Sequence, residues 1–141
     1  MIGDGPEREA LHAKYPDVVF VGYKFGEELA AHVASCDVMV FPSRTDTFGL
    51  VLIEAMASGV PVAAYPVTGP IDVVKQGITG VLSEDLQSAA MAALKMDRNA
   101  CRDHALNYTW ERATSQFFSN LAPITAAHSS HVAMNSVPVA L

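Results

Sequence analysis

Apolar residues in this chain form short continuous runs, separated by longer stretches with helical spacing. The runs fall at residues 18–22, 37–42, 61–66 and 79–83, and each of them contains valine. Continuous apolar runs of this length are typical of strands in a parallel sheet that helices cover on both faces. We therefore predict four parallel strands, one at each run.

Segments with helical spacing lie before, between and after the predicted strands. Pro6 suits the first turn of the first helix, and Gly59 suits the end of the helix that begins at Leu50. The alternation predicts an α/β fold, a doubly wound Rossmann-like parallel sheet followed by C-terminal helices. The later helices are predicted at residues 26–36, 50–59, 70–77, 85–96, 98–106 and 110–121. The last helix is expected to be held in the core by Trp110, Phe117 and Leu121.

The pattern predicts one domain at residues 1–121 and a mobile tail at residues 122–141. The tail has no sustained period and contains two prolines and several serines, as mobile termini often do. Only Met1 and Ile2 precede the turn at Gly3, so we expect the domain to be incomplete at its N-terminus. The strand edge left open would then favour dimerisation or aggregation.

Composition narrows the classes of function. The chain has 141 residues, half of them hydrophobic and 17% charged, with a net charge of −6. These values fit a compact domain and argue against a nucleic-acid-binding surface. The N-terminus lacks a signal pattern and no apolar run is long enough to span a membrane, so we expect a cytoplasmic protein.

The positions of cysteine and histidine indicate no metal site. Cys36 and Cys101 are far apart without metal-ligand spacing, and the five histidines share no spacing. We expect both cysteines to be buried structural thiols in a reducing compartment.

Three polar loops that contain glycine follow predicted strands, at residues 3–6, 22–27 and 42–50. Ligands of doubly wound sheets bind outside the carboxyl ends of the strands, so we predict the site at these loops. The 3–6 loop is a weak dinucleotide fingerprint, because Arg8 stands where a third glycine would be needed. A dehydrogenase or methyltransferase is therefore disfavoured.

The 42–50 loop leads into a predicted helix, whose first N–H groups attract an anion such as a phosphate. Gly49 has no Cβ and lets the backbone approach such a ligand closely. Glu54, near the end of the first helical turn, can accept two hydrogen bonds from a ribose diol. Asp46, in the loop itself, can accept from hydroxyls that lie beyond the phosphate.

Simpler interpretations of the same residues stay open. Glu54 can merely complement the helix dipole, and Asp46 can be a turn residue. Phe48 can be a core residue, and Lys24 can be a solvated charge. The residues by themselves predict a binding loop more clearly than a set of catalytic groups.

The stretch "FPSRTDTFGLVLIEAMASGVPVAA", preceded by "VGYKFGEELAAHVASCDVMV", resembles the C-terminal, donor-binding half of the group 1 (family 4) retaining glycosyltransferases. Those enzymes have two Rossmann-like domains facing across a cleft and carry an E-x7-E motif. Asp46 and Glu54 keep the spacing of that motif, with Asp in place of the first Glu. "GDGPEREAL", "TGPIDVVKQGITGVL" and "YTWERATSQFFSNL" are also similar to the family, so the resemblance covers about residues 1–121.

The resemblance implies a role for each of these residues. Asp46 and Glu54 would be the catalytic residues, with Glu54 holding the ribose hydroxyls and Asp46 lying near the transferred sugar. The donor would be a nucleoside diphosphate sugar, with no metal ion and no separate cofactor. The 23–25 segment would lie at the base and the backbone of 48–50 at the diphosphate. The implied nucleotide-sugar-binding residues are Gly3, Gly5, Tyr23, Lys24, Phe25, Thr47, Phe48, Gly49, Leu50 and Glu54.

The resemblance also implies what this chain lacks. By this resemblance we expect the family's acceptor-binding domain, and an Arg and Lys pair that neutralises the diphosphate, to lie outside these 141 residues, and Arg44 is not expected to replace both. The parent enzyme would transfer a hexose to a glycan, a lipid or a small acceptor, with peripheral membrane association left open. We expect the isolated chain to be inactive. The alternatives are a non-catalytic nucleotide-binding fragment and a nucleotide-sugar epimerase of the same architecture.

Overall fold

The computed structural model describes residues 1–122 of the protein. The chain divides into two compact units, one at Met1–Tyr108 and the other from Thr109 onward. The predicted mobile tail, residues 122–141, lies outside the described residues except for Ala122.

A three-stranded parallel sheet forms the centre of the first unit. Its strands are β1 (Met39–Phe41), β2 (Val62–Ala64) and β3 (Gly80–Leu82), in the spatial order β1-β2-β3. The central residues of the three strands, Val40, Ala63 and Val81, lie in register. Three of the predicted strands and their parallel arrangement are confirmed, although each is shorter than its apolar run.

The helices alternate with the strands and then continue alone, as predicted. Gly59 follows the C-cap residue of the third helix and has a left-handed φ of 73°, which confirms its predicted place. The seven helices of residues 1–122 are α1 (Arg8–Lys14), α2 (Gly26–Ala34), α3 (Leu50–Ala57), α4 (Pro70–Val73), α5 (Leu86–Ala93), α6 (Arg98–Ala105) and α7 (Trp110–Ser119).

Helices cover both faces of the sheet, and alternate residues of β2 show this directly. Val62 and Ala64 belong to a buried cluster that includes residues of α3 and α6. Ala63 belongs to a second cluster with Ala89 and Ala93 of α5. Since successive side chains of a strand point to opposite faces, the sheet is the middle layer of three. The predicted doubly wound α/β fold is confirmed.

α6 satisfies the carbonyl groups at the ends of three other helices. The last carbonyls of a helix have no partner within the helix, and they attract cations. The guanidinium of Arg98 donates to Ala34 O and Cys36 O, both at 2.7 Å, at the end of α2. Two further bonds of this kind join Arg102 Nη1 to Ala57 O at 2.9 Å and His104 Nε2 to Val73 O at 2.9 Å.

The predicted strand at residues 18–22 is wrong. The segment meets residues 1–3 through three hydrogen bonds to main-chain carbonyls, from Gly3 N to Gly22 O at 2.8 Å, from Val21 N to Met1 O at 3.1 Å and from the Met1 amino group to Val19 O at 2.5 Å. Within the described residues 1–122, this segment forms a single isolated bridge, between Gly3 and Gly22, and Val19 is 71% exposed. The residues of this run have the composition of a strand, but their backbone hydrogen bonds do not continue into a β-ladder.

The prediction that Trp110 anchors the last helix is also wrong. α7 contains no buried residue, and Trp110 is 86% exposed. Helical spacing identifies an apolar face without saying what covers it. None of the helices between residues 1 and 122 combines the length and apolar character that crossing a bilayer requires.

Candidate functional site

The loops that follow β1, β2 and β3 lie at the same edge of the sheet, because the three strands are parallel. The first of these loops, residues 42–49, runs from β1 into α3. The site was predicted at this loop (as residues 42–50) together with the loops at 3–6 and 22–27, and the loops after β2 and β3 were not predicted to take part.

The N-terminus of α3 presents unpaired backbone donors. No side chain caps the helix. Within residues 1–122, the N–H groups of Gly49, Leu50 and Val51 donate to no acceptor, and the first bonded amide of the turn is Leu52 N, at 2.9 Å from Gly49 O. Three consecutive free donors at the positive end of a helix can bind an anion.

Gly49 is needed for a reason different from the one predicted. Its backbone has φ 83° and ψ 48°, a left-handed conformation that L side chains rarely adopt. A Cβ on this residue would lie 2.8 Å from Leu52 Cδ1, so it would point at the core. Glycine therefore permits the turn into α3, and it does not serve to clear space on the ligand side.

Glu54 is the fifth residue of α3, so it lies in the second turn and the first turn contains no acidic residue. The side chain is exposed, and within residues 1–122 its carboxylate has no hydrogen-bond or ion-pair partner. Helical side chains lean towards the N-terminus, so this carboxylate leans towards the free N–H groups. A helix-dipole role is weakened, because the dipole acts mainly within the first turn.

Asp46 holds the turn that precedes α3. Its Oδ1 accepts a hydrogen bond from Phe48 N at 2.9 Å, the arrangement of an Asx turn. Gly69, in the loop after β2, lies against this turn. A Cβ on Gly69 would be 3.2 Å from Asp46 O and 3.3 Å from Phe48 N. The side chain of Asp46 is partly buried there, and its Oδ2 makes no bond within the described residues.

Arg44 connects all three loops at this edge. Its Nη2 lies 2.9 Å from Glu84 Oε2, in the loop after β3. Its guanidinium carbon lies 3.6 Å from the ring centroid of Tyr65, the residue that follows β2. The hydrogen bond with Glu84 raises the pKa of Arg44 further above its usual value. Arg44 is therefore a half-exposed cation that already has two partners.

The side chains around the free N–H groups are mostly exposed. Phe48 is 45% exposed and Leu50 is 67% exposed, so the interpretation of Phe48 as a core residue is wrong. Thr47 is exposed as well. The start of α3 thus presents apolar surface next to its backbone donors.

The remaining predicted site residues form a second group. Tyr23 Oη donates to Asp4 O at 3.2 Å, which joins the 22–27 loop to the 3–6 loop. The rings of Tyr23 and Phe25 are stacked, with centroids 6.3 Å apart and planes 20° apart, and Phe25 is 76% exposed. A cavity of about 240 Å³ is lined by Gly3 and Gly5, among other residues.

Lys24 is paired within its own segment. Its ammonium forms an ion pair with Glu28, one turn into α2, and this contact lowers the pKa of the Glu28 carboxyl. Within residues 1–122, no hydrogen bond or ion pair joins this second group to the start of α3.

Sequence reasoning missed Tyr65, Gly69 and Glu84, which contact the 42–49 loop. Their positions in the sequence could have identified two of them, because Tyr65 and Glu84 come shortly after β2 and β3, at the edge of the sheet where ligands bind. Gly69 precedes Pro70 at the start of α4, where it reads as an ordinary helix boundary.

The part of the chain that the structure describes contains no group of three His, Cys, Asp or Glu side chains that could hold a metal ion. Both cysteines are free thiols, but only Cys101 is buried as predicted, and Cys36 is partly exposed. Cys101 is fully buried against Thr79 O, and burial raises the pKa of its thiol.

Comparison with known proteins gives a family match over most of the chain. The family profile described as "Glycosyl transferases group 1" matches residues 1–98. A GDP-mannose-dependent alpha-mannosyltransferase of Corynebacterium glutamicum is 36% identical over 137 residues, which cover 89% of this chain and 33% of the relative. Sulfoquinovosyl transferase SQD2 of Arabidopsis thaliana is 37% identical over 131 residues, which cover 82% of this chain and 26% of the relative.

Solved structures resemble the fold. Sucrose-phosphate synthase from Thermosynechococcus elongatus superposes with a TM-score of 0.67 at 29% identity, covering 84% of this chain and 36% of that one. The pneumococcal O-GlcNAc transferase GtfA, solved in complex with UDP and GlcNAc, also gives a TM-score of 0.67, at 21% identity, with coverage of 84% and 28%. The chain thus spans 26% to 33% of the length of the two curated relatives.

Proposed function

The chain belongs to the group 1 glycosyltransferases, and we propose that it forms the donor-binding part of a retaining enzyme. The parent enzyme would transfer a hexose from a nucleoside diphosphate sugar to a glycan, a lipid or a small acceptor. The observation that carries this proposal is the start of α3, where three unpaired N–H groups stand one turn before an unpartnered carboxylate.

The backbone of 49–51 would bind the diphosphate of the donor. Free N–H groups at a helix start offer an anion both hydrogen bonds and a favourable dipole. The exposed side chains of Thr47, Phe48 and Leu50 would border the sugar and the phosphates. Because the donors belong to the main chain, binding here does not depend on a particular side chain.

Glu54 would accept hydrogen bonds from the ribose hydroxyls. It lies four residues after Leu50, which is about 6 Å along a helix axis, and its carboxylate has no competing partner among residues 1–122. A phosphate at the helix start and a diol at Glu54 would then be neighbouring parts of one nucleotide.

Asp46 would be the catalytic residue nearest the transferred sugar. One of its oxygens holds the Asx turn with Phe48, and the other is left to accept from a sugar hydroxyl. Lys24 and the stacked rings of its two sequence neighbours, Tyr23 and Phe25, would lie at the base. Gly3 and Gly5 would border the same cleft.

Charge neutralisation is the part of the reaction that these residues do not supply. Arg44 is engaged by Glu84 and Tyr65, Lys24 is paired with Glu28, and Arg8 is paired with Asp4. A departing nucleoside diphosphate needs cationic or hydrogen-bonding stabilisation that strengthens in the transition state. We propose that groups of the parent enzyme outside this chain provide it. The isolated chain would then bind nucleotides weakly and would not turn over.

The remaining parts of the proposal concern cofactors and location. The reaction would need no resident metal ion or cofactor beyond the donor substrate. Both cysteines are free, which is usual in a reducing compartment, and this favours a cytoplasmic location. Peripheral membrane association of the parent enzyme is compatible with a lipid acceptor. A non-catalytic nucleotide-binding role is the second candidate, favoured by the engagement of Arg44.

A titration with three probes tests the proposal. GDP, UDP and pyrophosphate would be added to the isotope-labelled chain, and the amide resonances of Leu50 and Val51 would be followed by NMR. We expect both amides to shift with all three probes, at affinities of about 1 mM or weaker. Glu54→Gln should weaken binding of the preferred nucleotide about tenfold, because two charge-assisted bonds become neutral ones.

Comparing pyrophosphate with the nucleotides shows whether Glu54 binds the ribose or acts only through its charge. It has no diol, so Glu54→Gln should leave its affinity unchanged or slightly improved. Glu9→Gln, on the exposed face of α1, is the matched control and should change nothing. Equal loss of nucleotide and pyrophosphate binding would contradict the role of Glu54, and tight nucleotide binding would contradict the proposed weakness of the isolated chain.

A further inference from the structure

We propose that Arg44 is a positioning residue for the donor site: it fixes the 42–49 loop by bridging Tyr65 and Glu84, and so sets the direction of the free N–H groups of α3. The inference rests on the proposed function, since it gives those N–H groups the diphosphate as their ligand. Arg44 itself does not touch the ligand in this account.

Arg44 contacts residues of the two neighbouring loops at this edge of the sheet. The residue follows β1, and its partners follow β2 and β3. The guanidinium stacks on the ring of Tyr65 at 3.6 Å from the centroid, while Nη2 binds Glu84 Oε2 at 2.9 Å. A planar guanidinium can lie flat on a ring while its edge N–H groups donate, a geometry that the compact ammonium group of lysine does not have. One side chain therefore ties the ends of three strands together.

A short segment connects Arg44 to the start of α3. Asp46 is two residues further on, and its Oδ1 closes the turn on Phe48 N at 2.9 Å. Gly69 packs against the backbone of that turn, close enough that a Cβ would lie 3.2 Å from Asp46 O. The loop is thus held on one side by Arg44 and on the other by Gly69. The free N–H groups begin immediately afterwards, at Gly49.

The simpler alternative is that Arg44 is a phosphate ligand. Nη2 is bonded to Glu84 and one face of the guanidinium lies on the ring of Tyr65, so a phosphate would meet only the remaining N–H groups, next to the carboxylate of Glu84. The two roles predict opposite effects for substitutions at these partners. If Arg44 positions the loop, removing a partner weakens anion binding; if Arg44 is a ligand held back, removing a partner strengthens it.

The test uses Tyr65→Leu, Glu84→Gln and Arg44→Lys in the full chain. Tyr65→Leu leaves the net charge unchanged, so its effect on anion binding reports position alone. Glu84→Gln is the milder change, and it keeps the test valid if Tyr65→Leu does not fold. Glu84→Gln also removes a negative charge, which by itself would favour anion binding. This effect is reduced at about 0.3 M salt, where exposed charges are largely screened. Arg8→Gln, which breaks only the local pair with Asp4, is the control.

Two readouts are measured on each variant by NMR. The first is the exchange rate of the Phe48 amide without ligand, since this amide is bonded to Asp46 and reports the turn. The second is the pyrophosphate affinity from the shifts of Leu50 and Val51. We expect each partner variant to raise the Phe48 exchange rate several-fold and to weaken pyrophosphate binding about three- to tenfold. Both values for Arg44→Lys should lie between those of the partner variants and those of the wild type. Arg8→Gln should have the Phe48 exchange rate and pyrophosphate affinity of the wild type.

Unchanged exchange of Phe48, or stronger pyrophosphate binding in Tyr65→Leu, would overturn the positioning role. Failure of the proposed function has a different signature. In that case the Leu50 and Val51 amides of the wild-type chain would not shift with pyrophosphate, whereas the Phe48 exchange rates would still support or overturn the hold of Arg44 on the loop.

Discussion

The carboxylate of Asp46 has two oxygens in different situations, and this determines what the residue can do. Oδ1 closes the turn on Phe48, and Oδ2 has no partner within residues 1–122. The two interpretations left open by the sequence, a turn residue and a sugar contact, are therefore compatible in one side chain. A longer Glu at this position could not close the same short turn, because an Asx turn requires the shorter side chain.

Gly69 is the residue whose backbone most directly limits this turn. Gly69→Ala would introduce a Cβ 3.2 Å from Asp46 O, at a residue with φ 92°. We expect a loss of about 2–4 kcal/mol in the free energy of unfolding, from backbone strain and the close contact together. Urea denaturation followed by circular dichroism measures it.

Gly77→Ala is the matched control for this experiment. Gly77 has a φ of 76°, but a Cβ there would meet nothing within 4 Å. It should therefore show only the backbone strain, about 1 kcal/mol. If the free energy of unfolding falls equally in the two variants, the close contact with the Asp46 turn contributes nothing to stability.

Residue types and spacing directed attention to Glu54, Asp46 and Gly49, whose roles at the site stay predictions. The left-handed φ of Gly49 was not to be expected, because the residue before a helix is usually extended, and the contact of its missing Cβ with Leu52 depends on packing. Tyr65, Gly69 and Glu84 were missed because their contacts with the loop cross between strands. Such contacts have no local period in the sequence.

At the scale of elements, α6 stabilises the fold by capping its neighbours. Arg98, Arg102 and His104 each bond to carbonyl groups at the end of a different helix, α2, α3 and α4 respectively. α3 carries the candidate site at its other end, so α6 fixes the site helix from the opposite side. Apolar packing of Leu52 and Met56 with Cys101 and Ala105 completes this contact.

Arg98→Gln tests the capping role. The variant loses the two charge-assisted bonds to Ala34 O and Cys36 O, so we expect the free energy of unfolding to fall by about 1–2 kcal/mol. Arg98→Lys should recover part of the loss. Arg8→Gln, which removes an exposed local ion pair, should cost about 0.5 kcal/mol or less. A loss for Arg98→Gln no larger than for Arg8→Gln would refute the capping role; thermal and urea unfolding both report it.

Element prediction succeeded where the apolar pattern and its boundaries agreed. The strands predicted at 37–42, 61–66 and 79–83 pair in a ladder. The continuous apolar character of the central strand β2 reflects burial on both faces, whereas the edge strands β1 and β3 are only partly buried. The run at 18–22 has the same composition but only isolated pairing, and composition cannot distinguish the two cases. The apolar face of α7 was likewise recognisable, but the sequence does not state what covers it.

At the scale of the whole molecule, the family and the fold agree. The family profile covers residues 1–98, and the chain spans 26% to 33% of the length of the two curated relatives. The fold class followed from the alternation of strands and helices, and the family followed from the stretch around Asp46 and Glu54. The donor base, the sugar and the acceptor did not follow, because no motif in these residues distinguishes them.

The most direct test of the central claim is sugar transfer by a chimera. Residues 1–122 would replace the matching segment of the Corynebacterium glutamicum mannosyltransferase, and the purified protein would be assayed with a panel of GDP- and UDP-hexoses. We expect transfer from at least one of these donors, and a loss of at least about 100-fold in Glu54→Ala with the fold retained. Undiminished transfer in Glu54→Ala, or a folded chimera that binds none of the donors, would contradict the account.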